Sequence, residues 1–186
     1  LLYGGAAGGG KTWLLVFEGA RYLDIPGYSA LILRRTTPEL TQPGGLIDIS
    51  REFFGAWGEF SETRLRWTFP SGATMSFGHM EQESDRHKYQ SAQLAFIGID
   101  QAESFTLIQI EYMLHRLRTM TGVPTRFRMG ANPPDEEQPG VEWLMQRYAA
   151  WLDEMYANPA LGGEIRWFRR VAGKDAEVPA GTARST

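Results

Sequence analysis

With 186 residues, 42% apolar and 22% charged, the chain has the size and composition of one globular domain with a core of its own. Its net charge of −3 excludes a uniformly basic nucleic-acid binder, so any contact with DNA has to rest on local patches or on symmetry-related copies. The absence of cysteine excludes disulfides and thiolate metal sites and suits an intracellular setting, and neither a membrane span of about eighteen apolar residues nor a signal peptide is visible.

The first element is the apolar run Leu1-Leu2-Tyr3, read as a short strand whose upstream part has been removed. Gly5-Ala6-Ala7-Gly8-Gly9-Gly10-Lys11-Thr12 follows and fits the pattern G-x-x-x-x-G-K-[ST] in full. Trp13-Leu14-Leu15-Val16-Phe17 then suits a helix, so the strand–loop–helix context of a phosphate-binding loop is complete. In such a loop consecutive backbone N–H groups curl around phosphate oxygens, and the helix N-terminus adds the positive end of its dipole. Glycine permits the close approach and the unusual dihedrals. Lys11 then reaches the β- and γ-phosphates of a nucleotide, and Thr12 holds Mg²⁺. The competing reading is a flexible Gly/Ala turn, against which the lysine, the hydroxyl and both flanking elements count together.

The loop's helix is predicted over Lys11–Leu23, ending before the turn cluster Asp24-Ile25-Pro26-Gly27. A short strand is predicted over Ser29–Leu33, running into Arg34-Arg35-Thr36, and residues 38–55 read as a helix interrupted by a Pro-Gly-Gly break. Leu65, Trp67 and Phe69 alternate with Arg64, Arg66 and Thr68; Pro70-Ser71-Gly72 turns the chain; and Ala73, Met75 and Phe77 alternate with Thr74 and Ser76. That is the pattern of a β-hairpin. A polar stretch from His79 to Gln90 leads to the continuous apolar run Leu94–Ile99, as expected of a buried parallel strand, which closes on Asp100. Thr106 can cap a helix whose apolar face is Leu107, Ile110, Leu114 and Leu117. A strand over Arg126–Gly130 ends in Ala131-Asn132-Pro133-Pro134, a helix is predicted over Val141–Leu152 and a strand over Glu164–Val171. Strands alternating with helices give an α/β class with a mostly parallel central sheet flanked by helices. The domain is expected to span 1–172, with a loose polar tail over 173–186.

Three further signals bear on chemistry. A carboxylate at the end of a buried strand, here Asp100, can face the phosphate loop and hold Mg²⁺ through water, the bland alternative being a polar strand cap. Hydrolysing enzymes of the additional-strand P-loop class place a glutamate directly after that aspartate, and here the position is Gln101, which can orient water but cannot take its proton. Glu103 lies two residues on. Three readings follow: Gln101 is natural and Glu103 is the base, Gln101 is a change that traps bound ATP, or the chain binds ATP and hydrolyses it very slowly. Asn132, after the next strand, can sense the γ-phosphate or simply form an Asn-Pro turn. A transferred phosphoryl group also wants an arginine finger, for which Arg86, Lys88, Arg34 and Arg35 are candidates, unless a neighbouring subunit supplies it. His79, His87 and His115 lack metal-binding spacing, and Trp67, Trp143 and Trp167 read as packing residues.

In their order these segments resemble the ATPase domain of the large terminase subunit of tailed bacteriophages, the motor that packages DNA. The likeness rests on residues 4–12, on Leu33-Arg34-Arg35-Thr36-Thr37-Pro38-Glu39-Leu40, and on Trp67-Thr68-Phe69-Pro70-Ser71-Gly72-Ala73. It continues through Lys88-Tyr89-Gln90 before Phe96-Ile97-Gly98-Ile99-Asp100, through Gly130-Ala131-Asn132-Pro133-Pro134 with Trp143, and through Ile165-Arg166-Trp167-Phe168. The resemblance implies a RecA-like additional-strand P-loop fold with a β-hairpin insertion, and ATP with Mg²⁺ as cofactors. Residues 5–12 would contact phosphate, Thr12 and Asp100 the metal, and Asn132 would couple phosphate state to motion. Arg86 or Lys88 would stand in the finger's region. It further implies double-stranded DNA, the portal protein and the small terminase subunit as partners of a homo-oligomeric ring, commonly of five. The location would be the host bacterial cytoplasm, transiently on the prohead. Gln101 departs from the family's usual glutamate. The family's nuclease domain would lie beyond Thr186, and its adenine-contacting segment before the first strand. The alternatives are a nucleotide-binding module with little or no turnover, or another RecA-like ATPase or helicase.

Overall fold

The computed structural model describes residues 1–5, 8–133, 137–153, 155–171 and 174–180. Ala6 and Ala7 of the phosphate loop, and Pro134 of the Asn-Pro segment, lie outside the described residues. The chain divides into two compact units, Leu1–Gly140 and Val141–Thr186. No helix among the described residues is long and apolar enough to cross a membrane.

In the first unit, β1 (Leu2–Gly4) leads through the glycine loop into α1 (Lys11–Gly19). Then come β2 (Ser29–Arg34), α2 (Thr37–Thr41), α3 (Leu46–Phe54), β3 (Glu59–Ser61), β4 (Arg66–Thr68) and β5 (Thr74–His79). A 3₁₀ helix, Glu83–Tyr89, precedes β6 (Phe96–Asp100), and a 3₁₀ turn, Ala102–Ser104, precedes α4 (Leu107–Leu114) and β7 (Arg126–Ala131). One seven-stranded sheet runs β1-β7-β6-β2-β5-β4-β3. The first five strands in that order pair in parallel, and β4 and β3 extend the edge antiparallel. Strand β7 thus stands between the loop strand β1 and the aspartate strand β6, as an additional-strand fold requires.

The sheet is buried on both faces because its central strands are apolar throughout. Ala30 and Ile32 of β2 join Val16 of α1, Met75 and Phe96 in one core cluster, while Leu31, Leu33, Ile97 and Ile99 alternate to the opposite face and are equally buried. Each such side chain contributes roughly 1.5–3 kcal/mol. Helix α1 approaches the sheet closely at Gly19, where a Cβ would stand 2.9 Å from Met75 Cε.

Several boundaries differ from the sequence expectation. Helix α1 stops at Gly19 rather than Leu23, because the Tyr28 hydroxyl donates to the Gly19 carbonyl at 2.9 Å and the chain turns; Leu23 is still buried, so its apolar signal reports packing and not helix. The hairpin over 65–77 forms, and it is built into the sheet rather than appended to it, since β5 pairs in parallel with β2. It is clamped by Trp67, whose Nε1–H donates to Ser50 Oγ of α3 at 2.9 Å, both residues being buried. The break in 38–55 separates α2 from α3 at 42–45.

In the second unit, the helix expected over Val141–Leu152 is split into α5 (Val141–Arg147) and α6 (Ala149–Leu152) by Tyr148, at φ −113° and ψ 20°. The strand expected over Glu164–Val171 is β8, Trp167–Val171. Lys174–Val178, expected to be loose tail, forms β9, antiparallel to β8. Backbone pairing needs no apolar residues, so its polar composition concealed it. Arg147 Nε donates to Asp175 Oδ2 at 2.7 Å.

Candidate functional site

Four strand ends converge on one edge of the sheet. In the parallel registers Gly4 lies opposite Ala131, Gly130 opposite Asp100 and Ile99 opposite Leu33. The end of β1, Asn132 after β7, Asp100 on β6 and Arg34 on β2 therefore share the carboxyl edge, where open α/β sheets bind ligands.

The glycine loop leaves β1 on this edge. Gly5, Gly8 and Gly10 have φ of 141°, 82° and 74°, and a Cβ at any of them would meet none of the described residues within 4 Å. Glycine is thus demanded by backbone conformation and not by crowding. Gly10 is the N-cap of α1, whose first turn carries no acidic residue, so no side chain of that turn competes with an anion for the positive end of the helix. Lys11 Nζ donates to the Gly5 carbonyl at 2.7 Å, folding the ammonium back over the loop.

Thr12 Oγ1 donates to Asp100 Oδ2 at 2.9 Å, and Asp100 is 2% exposed. A hydroxyl and a carboxylate are the hard oxygen donors that Mg²⁺ prefers, and the loop's conformations suit phosphate. These residues fit Mg²⁺ and a nucleotide. Among the described residues no group of three or more His, Asp or Glu could hold a metal by itself, so a cation here would depend on phosphate oxygens and water for its other contacts.

Glu103 is 1% exposed. Its Oε1 accepts from Asn132 Nδ2 at 2.9 Å, and its buried Oε2 has no hydrogen-bond partner among the described residues. Burial pushes its carboxyl above the ordinary carboxylate value, opposed by hydrogen bonds from its own backbone N–H and from Asn132, with the Asp100 charge adding a smaller upward push. The backbone is pinned as well. Gly140 N donates to the Glu103 carbonyl at 2.8 Å, and a Cβ at Gly140 would come within 2.6–2.8 Å of the carbonyls of Glu103, Phe105 and Ala102. Gln101, between the two carboxylates, lies at φ 60° and ψ 59°. A non-glycine residue there is strained, a state that concentrates at functional sites.

The structure therefore brings Thr12 to Asp100 and Glu103 to Asn132. It does not bring Arg86 to them: Arg86 Nη1 pairs with Glu83 Oε1 at 2.8 Å, while Glu83 Oε2 accepts from Thr106. Lys88 pairs with Asp85 at 2.9 Å, and Arg35 donates to the Met80 carbonyl and Gln109 Oε1. Arg34, named above only as one finger candidate, is buried and bonded to Asp100 through Nε and Nη2, each at 2.8 Å. The signal that could have found it is a charged residue at the end of an apolar strand adjacent to the aspartate strand.

Comparison with known proteins places these features in context. The family described as terminase large subunit, T4likevirus-type, N-terminal, matches residues 2–160. No curated protein matches the sequence. Among solved structures, the large terminase of a thermophilic bacteriophage is similar over 83% of this chain, at 15% identity and a TM-score of 0.65. That likeness supports the fold. The similarity spans 38% of that terminase's length.

Proposed function

The chain belongs to the terminase large-subunit family through its N-terminal domain, and from that premise we propose that it is the ATP-binding and ATP-hydrolysing motor domain of a bacteriophage DNA-packaging machine. The observation that carries the proposal is the shared carboxyl edge, where the glycine loop, the Thr12–Asp100 pair and the Asn132–Glu103 pair meet. Residues 5–12 cradle the phosphates, Lys11 neutralises charge at the β- and γ-phosphates, and Thr12 and Asp100 hold Mg²⁺. Mg²⁺, when bound with ATP, neutralises charge on the phosphate oxygens. Glu103 is the general base. Among the described residues its Oε2 has no hydrogen-bond partner, and burial raises its carboxyl above the ordinary carboxylate value, the direction that strengthens a base. Asn132 holds Oε1 and passes the state of the site to β7. Gln101 orients water without taking its proton. Arg86, on Glu83 in this structure, is proposed as a finger only on the likeness of its segment.

The partners proposed are double-stranded DNA, the portal protein and the small terminase subunit, on a ring of copies, commonly five, in the host cytoplasm. With a net charge of −3, the isolated domain should bind DNA weakly and with steep salt dependence. No DNA cleavage is proposed for it.

A module with little turnover is the second reading, and the strained Gln101 where a glutamate is usual favours it. Titration with a fluorescent ATP analogue and Mg²⁺ tests the shared premise of both. Lys11→Ala should weaken binding about 10- to 100-fold, the worth of a charge-assisted contact. Equal binding by the variant would overturn the loop's assignment.

A further inference from the structure

Three donors converge on one oxygen of Asp100. Thr12 Oγ1 lies 2.9 Å from Oδ2, and Arg34 Nε and Nη2 each lie 2.8 Å from it. Among the described residues no hydrogen bond reaches Oδ1. The guanidinium is also fixed at its third corner, where Nη1 donates to the Glu39 carbonyl at 3.0 Å. Glu39 in turn is set by the capping box of α2, in which its Oε2 accepts from Thr36 N at 2.9 Å. The side chains of Arg34 and Asp100 are only 10% and 3% exposed, so solvent and salt screen the pair little.

We infer that Arg34 is a positioning residue that makes metal binding at Asp100 conditional on the nucleotide. The inference rests on the loop and Asp100 having the roles proposed above. By occupying Oδ2, Arg34 and Thr12 fix the carboxylate's rotation and leave Oδ1 as the oxygen for a hydrated cation. By cancelling the carboxylate's charge, Arg34 also removes the attraction for a free cation. Arg34 and Lys11 offset the two carboxylates of this edge, Asp100 and Glu103, so that two formal positive charges face two negative ones. Such a balanced edge offers a lone divalent cation no net attraction, and a polyphosphate bound in the loop supplies the negative charge that does. The nucleotide and its metal therefore load together, and a bare metal does not take the site first.

The test is Mn²⁺ binding to the full chain by electron paramagnetic resonance, without nucleotide and with ADP. Wild type should leave Mn²⁺ essentially free until ADP is added. Arg34→Gln, which keeps a donor and removes the charge, should bind Mn²⁺ without nucleotide about tenfold more tightly or better than wild type. Arg34→Lys, which keeps the charge, should behave as wild type. Equal nucleotide-free binding by Arg34→Gln and wild type would overturn the inference, and so would wild-type binding that ADP leaves unchanged. If Arg34→Gln fails to fold by near-ultraviolet circular dichroism, the wild-type comparison with and without ADP still decides. A fluorescent ADP analogue separates the two levels of failure. No binding by any chain removes the loop assignment and this inference with it, whereas normal binding with unaltered Mn²⁺ behaviour removes Arg34's role alone.

Discussion

Glu103→Gln should stabilise the protein, and by an amount that depends on pH. Glu103 is 1% exposed, and its Oε2 has no partner among the described residues. A buried polar atom without a hydrogen bond costs about 1–3 kcal/mol, and more when charged. Burial holds the carboxyl above its unfolded value of 4.5. Between that value and the higher folded one, the native state binds more protons than the unfolded chain, so stability falls as pH rises through this window. Glutamine keeps the acceptor for Asn132 and removes the charge. The expected gain is on the order of 1 kcal/mol near neutral pH, or about 2–4 °C in Tm for a chain of this size. Below pH 4.5 both residues are neutral and the gain should vanish. Thermal unfolding of both chains from about pH 4 to 8, followed by circular dichroism, reads the difference directly and cancels every other carboxylate. A variant that is less stable at neutral pH, or a gain that does not change with pH, would refute the reasoning.

Asn132→Ala removes the side-chain donor to Glu103 Oε1; it should cost about 1–3 kcal/mol in urea unfolding and move the acidic limb of any pH–rate profile to higher pH, and an unchanged limb would separate Asn132 from the base. Ser50→Ala strands the buried Trp67 N–H and should cost about 1–3 kcal/mol without changing nucleotide affinity, so a loss of nucleotide binding in a folded variant would show that the α3–hairpin clamp reaches the site.

Features fixed by neighbours in sequence are the legible ones. The glycine loop and Lys11-Thr12 are covalently contiguous, the run before Asp100 is apolar throughout, and the alternation from Leu65 to Phe77 names a hairpin. Thr106 is legible too, and it does cap α4, accepting from Gln109 N at 3.3 Å. What the sequence conceals is pairing at long range. Alternation marks β5 as a strand but not as the parallel neighbour of β2. Arg34 meets Asp100 across 66 positions and Asn132 meets Glu103 across 29, and no local pattern specifies either contact. Helix α1 ends where a tyrosine nine residues away takes its carbonyl. The short β3 and the polar β9 draw their stability from partner strands, which composition does not display.

The most direct test of the account is single-turnover phosphate release from Mg²⁺·ATP by wild type, Glu103→Ala and Gln101→Glu. If Glu103 is the base, wild type releases phosphate and Glu103→Ala slows release by about 10²–10⁴-fold while still binding the nucleotide. Release that survives in Glu103→Ala, or that occurs only in Gln101→Glu, would contradict it.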